Sequence, residues 1–510
     1  MKILLAGPGT GKTTNIKNII SDHGDGSKFL VVSFTNATVK ELQNKLRHLG
    51  ISEKNCITLH KIAVKYNHDK SRHILLKTEE DELKTISKGM GVEFDKICDF
   101  LSCTTFDQMI ARFVDYAKSN PLYLQEKLAE YDSLIVDEYQ DFNPNEQALI
   151  DILVEKIQTS YLLGDDDQCI YDFKDASSEK IISFYLDDVN NEKLPHEHIC
   201  YRCPDKVVEH ATNLIKENKK RIEKKWLKNG NTGEISHTQL STFDDVADAV
   251  YSEVIKITNG SVLILTPVEF AVKPVVEKFK NNRVEFTNYF TDKIPFDLVI
   301  KAWEVRSIFG KFKYINLVLL GYSKLSNRKE FYNLLKSHFD SGEDYDALLR
   351  LLKKRIPDRI LNNQKELEEF LSDDYYDDIR QLFEKANGAT IDEKLENIFR
   401  EIEEAEEKNI KIMSIHKSKG LDADHVFMVG LNEGIIPNKK KGNDTIESQR
   451  RLFYVGITRS KKQLHLFSNI YIEGKNIKGN YLNQDDFIFN YKLKTYMGKA
   501  STFISELKLL

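Results

Sequence analysis

The residues with the clearest chemical potential lie near the start of this 510-residue chain. Residues 6–13 read AGPGTGKT, directly after an apolar run and before a helical pattern. Small residues there let backbone N–H groups turn toward a phosphate chain, and the helix N-terminus adds a favourable dipole. In this pattern Lys12 reaches the β- and γ-phosphates, and the Thr13 hydroxyl binds Mg²⁺. The string predicts nucleotide binding, a property that kinases, AAA+ machines and helicases share.

A pair of carboxylates supplies the second chemical element. Residues 134–138 read LIVDE, an apolar strand that ends in two acids. This position places Asp137 near the metal and Glu138 where it polarises an attacking water. Together with the loop at Lys12, the acidic pair predicts hydrolysis of a nucleoside triphosphate.

The elements that must position these residues alternate between strand and helix. Apolar runs that read as strands occur at residues 2–6, 29–34, 133–136, 160–163, 261–265, 412–414, 426–429 and 464–467. Helical patterns separate the early runs, at residues 12–21, 37–46 and 145–156. This rhythm predicts an α/β fold with parallel sheets covered by helices. Residues 64–118 and 299–409 lack the rhythm and read as helical insertions.

Composition narrows the class of protein. The chain is 41% hydrophobic and 30% charged, and its six cysteines are too few for a disulfide scaffold. No run approaches the roughly 18 apolar residues of a membrane span, and a glycine-rich turn follows the apolar start where a signal peptide would be cleaved. We therefore expect a cytoplasmic protein without a membrane partner. Cys200 and Cys203 form a CxxC, and Cys98 and Cys103 form a looser pair. A zinc or iron–sulfur site built from these four is the alternative, but their spacings are not those of a standard metal site, so buried or free thiols are expected.

Net charge does not decide whether the chain binds nucleic acid. The formal charge is −5, but a strand needs only a local basic groove. Residues 216–228, KENKKRIEKKWLK, are the best candidate patch. A solvated helix face is the alternative interpretation.

Longer strings give a resemblance to one enzyme family. Residues 134–147 and 162–176 resemble motifs II and III of the superfamily 1A helicases, the UvrD/Rep/PcrA family. Further matches follow in the family's order, to motif Ia at 31–42, Ib at 57–63, IV at 200–215, V at 412–437 and VI at 450–467. The closing STFISEL resembles the family's usual end of the second motor domain. Only the two insertions fall outside the resemblance.

The resemblance implies an architecture. The family has two RecA-like motor domains that hold ATP between them, each with an inserted helical subdomain. The implied fold class is α/β, with two RecA-like P-loop motor domains and two mainly helical insertions. The corresponding assignment is motor domain 1A at 1–63 and 119–194, insertion 1B at 64–118, motor domain 2A at 195–298 and 410–510, and insertion 2B at 299–409.

The resemblance also completes the ATP site. Gln168 resembles the glutamine that senses the γ-phosphate, and Arg202 and Arg459 resemble two arginines that reach across the cleft. Tyr201 is expected against adenine, and Asp422 replaces the family's usual Glu near the ribose. The implied cofactors are ATP and Mg²⁺, with Thr13 and Asp137 on the metal. The predicted catalytic residues are Lys12, Asp137, Glu138, Gln168, Arg202 and Arg459. The predicted ATP contacts are Gly7, Pro8, Gly9, Thr10, Gly11, Lys12, Thr13, Thr14, Tyr201, Arg202, Asp422 and Arg459.

A second set of residues is implied for nucleic acid. Phe34, Tyr171 and Phe173 stand where the family places aromatic rings that stack on bases, with Phe173 in place of the usual Trp. Such stacking tolerates any base sequence, which suits a motor. A core position is the alternative for Phe34, which ends an apolar strand. The remaining candidates for phosphate or strand contacts are Thr35, His60, Lys174 and His416.

The sequence departs from the family pattern near the base of the nucleotide. The chain starts at the first strand, without the upstream glutamine motif that reads adenine in the family, and Thr14 stands where relatives often carry Arg. Both changes leave the phosphate contacts intact. We therefore expect hydrolysis to persist while the preference for ATP over GTP weakens.

The implied function is an ATP-dependent DNA helicase that moves 3′ to 5′ on single-stranded DNA and meets single-strand/duplex junctions. The polarity follows from the resemblance, since GDDDQCIYDF lacks the GDxxQLPP-like string of superfamily 1B. One alternative is a partner-dependent translocase or DNA-end sensor, for example beside a nuclease, because both insertions are shorter than in large relatives. A small-molecule kinase would leave the stacking aromatics and cross-cleft arginines unexplained. A nonhydrolysing relic would not need the six catalytic residues.

Overall fold

A computed structural model gives the structure of much of the chain. It describes residues 1–290, 301–302, 305, 313–324, 328–342, 347, 350–351, 379–381, 384, 394, 408–439, 445–478, 482 and 486–509. Across these ranges, no helix is both long and apolar enough to cross a membrane. Much of the predicted insertion at 299–409 lies outside the described residues.

Strands occur in both halves of the chain and are numbered in chain order. They are β1 Lys2–Leu5, β2 Phe29–Ser33, β3 Cys56–Thr58, β4 His73–Ile74, β5 Cys103–Thr104, β6 Ser133–Val136, β7 Thr159–Gly164, β8 Glu192–Lys193, β9 His198–Ile199, β10 Trp226–Leu227, β11 Glu234–Leu240, β12 Val262–Thr266, β13 Thr287–Asn288, β14 Ile410–Ser414, β15 Ala423–Met428, β16 Ser460–Asn469, β17 Tyr471–Glu473, β18 Ile488–Asn490 and β19 Thr495–Met497.

The α-helices are numbered in the same way. They are α1 Lys12–His23, α2 Asn36–Leu46, α3 Leu59–Tyr66, α4 Lys77–Met90, α5 Phe94–Phe100, α6 Phe106–Ser119, α7 Pro121–Leu128, α8 Pro144–Lys156, α9 Glu179–Leu186, α10 Asp205–Ile215, α11 Phe243–Val254, α12 Lys273–Asn281, α13 Lys313–Lys324, α14 Arg328–Ser341, α15 Ile446–Ile457, α16 Gly474–Lys478 and α17 Thr502–Leu507.

Two six-stranded parallel sheets form the framework. The first has the order β3-β2-β6-β7-β1-β8, and the second has the order β11-β16-β15-β12-β14-β13. Strands such as β2 (FLVVS) and β12 (VLILT) are buried along their whole length. Continuous apolar runs of this kind belong to sheets covered on both faces. The predicted α/β class with two parallel sheets is confirmed. We call the first sheet with its helices the first lobe and the second sheet with its helices the second lobe.

The sheet order explains why the chemical residues converge. The phosphate loop follows β1, the acidic pair follows β6, and residues 165–176 follow β7. These three strands are adjacent in the order β6-β7-β1. In parallel sheets, ligands bind beyond the carboxyl ends of neighbouring strands. The first lobe therefore gathers three distant parts of the sequence at one edge.

The chain divides into two compact units. The larger unit comprises Met1–Tyr66, Val114–Thr291 and Glu407–Leu510, and so contains both lobes. The smaller unit comprises Asn67–Phe113 and Asp292–Glu406. The four-part assignment stays a prediction. Two details differ from it locally, because α3 continues to Tyr66 and the first insertion contains a short parallel pair, β4 with β5.

One hydrophobic core joins the two predicted insertions inside the smaller unit. Leu83 and Ile86 on α4 belong to the same buried cluster as Val318 on α13 and Phe331 on α14. All four side chains are fully buried. Neither chain segment buries this core alone, so residues far apart in sequence depend on each other for stability.

Replacement of Phe331 by alanine is therefore expected to destabilise the smaller unit strongly. Truncation of a buried phenylalanine costs about 3–5 kcal/mol in lost transfer energy and cavity formation. Calorimetry should show a lower midpoint temperature for unfolding of the smaller unit in Phe331→Ala. The control is Lys329→Ala, because Lys329 is exposed on the same helix and should leave that transition unchanged. Equal effects of the two substitutions would contradict the shared core.

Candidate active site and nucleic-acid interface

The phosphate loop has the backbone geometry that its glycines permit. Gly9 and Gly11 have φ of +70° and +84°, and Gly11 caps the N-terminus of α1. A Cβ at Gly9 would lie 2.5 Å from Cβ of Arg202, so the absence of a side chain lets the second lobe approach closely. The Thr10 hydroxyl donates to the Gly7 carbonyl at 2.8 Å. The loop is thus a shaped cradle at a helix N-terminus, which suits a phosphate chain.

Lys12 and Glu138 are in direct contact. The Lys12 ammonium donates to Glu138 Oε1 at 2.8 Å, and the Gln140 amide donates to Glu138 Oε2 at 2.7 Å. Burial alone would raise the pKa of Glu138, but the charges of Lys12 and Lys419 and these hydrogen bonds lower it. Glu138 therefore stays ionised and is held by both oxygens. Gln140 is a positioning contact that the motif strings did not single out.

Asp137 has the features of a metal ligand. Its carboxylate is buried, and among the described residues Oδ1 has no hydrogen-bond partner. Burial and the neighbouring charge of Glu138 raise the pKa of Asp137. A buried carboxylate oxygen beside a phosphate loop is an oxygen ligand of the kind Mg²⁺ prefers. Thr13, at the start of α1, would offer its hydroxyl, so the residues present fit the predicted cation.

The unpartnered carboxylate oxygen gives a prediction with opposite effects on stability and activity. Asp137→Asn removes a buried charge whose Oδ1 has no partner among the described residues, so the nucleotide-free protein should be at least as stable as the parent. ATP turnover should fall about 100-fold or more, because a catalytic metal supplies several kcal/mol of charge stabilisation. The Mg²⁺ concentration for half-maximal turnover should rise. Thermal unfolding and a Mg²⁺ titration of ATPase activity measure these changes.

Asp141 provides the matched control. It is equally buried, but Lys419 Nζ lies 2.6 Å from its Oδ1. Asp141→Asn breaks a buried ion pair and should destabilise the protein by about 3–5 kcal/mol. A large loss of stability in Asp137→Asn as well would show that Asp137 has a protein partner, against the metal assignment.

Arg459 comes from the second lobe and reaches the first. It is almost fully buried, and its Nε and Nη1 donate to the carbonyls of Val455 and Leu421 at 2.8 and 3.2 Å. Its Nη2 donates to Gln168 Oε1 at 3.2 Å. Burial, and then the nearby charge of Arg202, lower the pKa of Arg459 to about 10. The guanidinium therefore meets the predicted γ-phosphate sensor directly.

The segment around Arg202 lies on the phosphate loop. The backbone N–H of Tyr201 donates to the Gly9 carbonyl at 2.8 Å. Arg202 Nε lies 3.3 Å from Asp422 Oδ2, which pairs the arginine with the predicted ribose contact. The Tyr201 ring is 65% exposed, and Thr14 is exposed on α1. The structure thus brings Arg202 to the phosphate loop and Arg459 to Gln168, and it leaves the Tyr201 ring exposed.

Two further cations from the second lobe reach the first and were not predicted. Lys419 Nζ lies 2.5 Å from the Gln168 carbonyl, in addition to its contact with Asp141. Arg451 donates to the Cys169 carbonyl at 2.9 Å and lies 3.2 Å from Asp172. Both lie inside strings that carried the resemblance. Lys419 follows a turn and Arg451 lies on α15. The sequence gave no reason to expect a contact with the first lobe from these two cations rather than from their neighbours.

Aromatic rings form a continuous row at the predicted nucleic-acid side. The Tyr171 ring lies 5.1 Å from Phe34 and 5.9 Å from Phe173, between ring centroids. The next ring is His416 of the second lobe, 5.5 Å from Phe173. Phe173 is 58% exposed, and the Lys174 ammonium lies 5.9 Å above the Tyr171 ring. Phe34 is half-buried, so it is a partly accessible member of the row.

Two of the predicted strand contacts already have structural roles. The Thr35 hydroxyl accepts from the Thr38 backbone N–H at 3.1 Å and caps α2. His60 Nε2 lies 3.5 Å from Glu146 Oε1. A role in binding nucleic acid remains a prediction for both residues.

The predicted basic patch is largely engaged within the protein. Lys224 and Arg221 pair with buried carboxylates at residues 165–167. Lys220 and Lys228 pair with exposed acids. Arg221 and Lys224 are thus engaged inside the protein, and a nucleic-acid role of the other cations in this segment stays a prediction.

The cysteines are buried, as the sequence interpretation expected. Cys200 and Cys203 are buried free thiols, as are the other four cysteines. Cys200 Sγ lies 3.2 Å from the Pro8 carbonyl, and Cys203 Sγ lies 3.3 Å from the Thr458 carbonyl. They help to pack this segment between the phosphate loop and the turn before Arg459.

The fold and the site define a class. The first of two parallel α/β lobes carries a phosphate loop, and the second places Arg202 beside that loop and Arg459 beside Gln168. This arrangement is that of a P-loop NTPase with two RecA-like motor domains. The UvrD-like helicase C-terminal domain model matches residues 321–470, and an AAA domain model matches residues 1–174.

Curated relatives narrow this class to a family. ATP-dependent DNA helicase PcrA from Leuconostoc citreum is 24% identical over 71% of this chain and 57% of its own. ATP-dependent DNA helicase Rep from Buchnera aphidicola subsp. Acyrthosiphon pisum is 27% identical, over 65% and 62%. DNA helicase II from Rickettsia typhi is 23% identical, over 91% and 89%. The matches to the first two relatives thus span about three fifths of their length. These matches are to the UvrD/Rep/PcrA-like superfamily 1A helicases, the family that the sequence motifs resemble.

Proposed function

We propose that this protein is an ATP-driven DNA helicase or translocase that moves 3′ to 5′ on single-stranded DNA. The carrying observation is that residues 165–176 touch both predicted sites. Gln168 at one end of this segment contacts Arg459, and Tyr171 and Phe173 at the other end belong to the aromatic row. A change at the nucleotide therefore has a short covalent path to the predicted base contacts.

The residues of the cleft suit hydrolysis of a terminal phosphate. A bound triphosphate would take the Lys12 ammonium from Glu138 and free its Oε1, while the Gln140 amide still holds Oε2. Glu138 would then orient a water for in-line attack on the γ-phosphorus and accept its proton, while the bond from that phosphorus to the bridging oxygen breaks and ADP leaves. Arg202 and Arg459 would stabilise negative charge on the transferred phosphoryl group. Mg²⁺ held by Thr13 and Asp137 would supply further charge neutralisation when bound.

The cross-lobe contacts supply a means of movement. Lys419, Arg451 and Arg459 all join the second lobe to residues 141–172 of the first. Exchange of these contacts for contacts with nucleotide, and their return after product release, would change the separation of the lobes. The aromatic row includes His416 of the second lobe, so such a change would also alter the spacing of the base contacts.

The test compares ATP hydrolysis with and without single-stranded DNA. DNA should raise turnover in the parent, and Lys12→Ala should abolish hydrolysis. Lys17→Ala is the matched control, because Lys17 is exposed on the same helix, and should leave turnover unchanged. Absence of DNA stimulation in the parent would refute the proposed function.

Polarity and unwinding need a second assay. Strand displacement on 3′-tailed and 5′-tailed duplexes should favour the 3′-tailed substrate. Preferential opening of the 5′-tailed duplex would overturn the direction. Stimulated hydrolysis without displacement would identify a translocase that needs a partner in order to unwind.

A further inference from the structure

Three consecutive carboxylates are buried where the two lobes meet. Asp165, Asp166 and Asp167 follow β7, and each is at most 1% exposed. Lys224 of the second lobe, itself buried, lies 2.9, 2.5 and 2.7 Å from their respective carboxylates. Arg221 forks onto Asp167 with donor distances of 2.9 and 2.8 Å. Three negative charges thus face two positive charges, out of water.

The three acids have different second partners. Asp166 accepts from the Ile222 backbone N–H at 2.7 Å, and Asp167 is occupied by Arg221. Asp165 Oδ2 accepts from the Gln168 amide nitrogen at 2.7 Å. Asp165 is therefore the member of this trio that is hydrogen-bonded to the side chain predicted to sense the γ-phosphate.

We propose that Asp165, held by Lys224, is a positioning residue that fixes the orientation of the Gln168 side-chain amide toward Arg459. This inference rests on the proposed function, because Gln168 acts in the same ATP site. A carboxylate only accepts hydrogen bonds and a guanidinium only donates them. Asp165 therefore selects the amide nitrogen of Gln168, and the amide oxygen is left to accept from Arg459.

Lys224 makes this orientation depend on the second lobe. Its ammonium holds Asp165 Oδ1 while Oδ2 serves Gln168. The chain of contacts runs from Lys224 through Asp165 and Gln168 to Arg459, so it leaves the second lobe and returns to it. Correct orientation of the amide then requires the lobes to be packed together at Lys224, which ties the γ-phosphate contact to lobe position.

The asparagine variants Asp165→Asn and Asp166→Asn form a matched pair. Each removes one charge from the same buried cluster with almost no change in volume, so thermal unfolding should shift by similar amounts. In Asp165→Asn the new side chain can present its amide N–H₂ to Gln168 and so permit the flipped orientation. The kcat for basal ATP hydrolysis should fall about 10- to 100-fold in Asp165→Asn, the range for loss of a hydrogen bond to a charged group. The KM for ATP should change little, and Asp166→Asn should keep the parent kcat.

A double-mutant cycle separates positioning from a general structural effect. In a Gln168→Ala background, Asp165→Asn should cause no further loss of kcat, because the side chain it orients is gone. A full further loss, or equal kcat values for Asp165→Asn and Asp166→Asn, would overturn the proposal. Both variants are compared by their hydrolysis of ATP without DNA. A lack of DNA stimulation would refute the proposed function, but it would not affect this comparison.

Discussion

Arg459→Ala is expected to lose about 10³-fold or more of its DNA-stimulated ATP turnover. An arginine that stabilises the transferring phosphoryl group contributes about 10³–10⁵ in rate in related chemistry. Arg459 is placed for this role because four hydrogen bonds hold its guanidinium, including the one to Gln168. Its orientation is therefore set before nucleotide binds. Turnover at saturating ATP and DNA is the measurement.

Loss of a buried arginine could also act through stability, and Arg450→Ala controls for this. Arg450 lies on α15 of the same lobe, is also buried, and pairs with Glu506 through donors at 2.7 and 2.8 Å. Both variants should show lowered thermal stability, because each leaves buried partners unsatisfied. Only Arg459→Ala should lose turnover in the folded protein. Equal losses of ATP turnover in the two variants would show that Arg459 has no specific role in hydrolysis.

The two parallel sheets of the larger unit could be predicted from the sequence, because their strands are short apolar runs separated by helices and turns. The run at 133–136 coincides with β6, and the helix expected at 145–156 is α8, which begins one residue earlier. The phosphate loop and the acidic pair also lie where the pattern predicted. Local sequence determines such features. A buried parallel strand is a continuous apolar run, and the residues that bind ligands follow directly after its carboxyl end.

Contacts between distant segments were not accessible in this way. Lys224 is one of seven Lys and Arg residues between positions 216 and 228. The sequence of that segment does not indicate which of them is buried against three carboxylates. The common core of the two insertions is a similar case, because α4 and α14 each show an ordinary amphipathic pattern. Short strands at the sheet edges, such as β8 and β13, and the small antiparallel sheet of β17, β18 and β19 were also not predicted. Their few residues carry too weak a periodic signal.

The second large effect is expected on DNA affinity. Phe173→Ala should raise the concentration of single-stranded DNA that gives half-maximal ATPase stimulation by roughly 5- to 150-fold. This range corresponds to about 1–3 kcal/mol for one stacked base. Phe173 is exposed between Tyr171 and His416, so its removal costs little stability. Phe173→Trp, with a larger ring, should bind DNA at least as tightly as the parent.

Leu186→Ala is the control for loss of an exposed apolar side chain. Leu186 is 61% exposed on α9 of the same lobe, outside the aromatic row, and its removal should leave DNA affinity unchanged. Basal hydrolysis should also be unchanged in Phe173→Ala, because the ring makes no contact with the phosphate loop or Gln168 among the described contacts. Asp165→Asn should show the reverse pattern, with lowered basal turnover and unchanged DNA affinity. If Phe173→Ala and Asp165→Asn each changed basal turnover and DNA affinity to the same extent, the segment 165–176 would not have one end that acts on nucleotide and another that binds DNA.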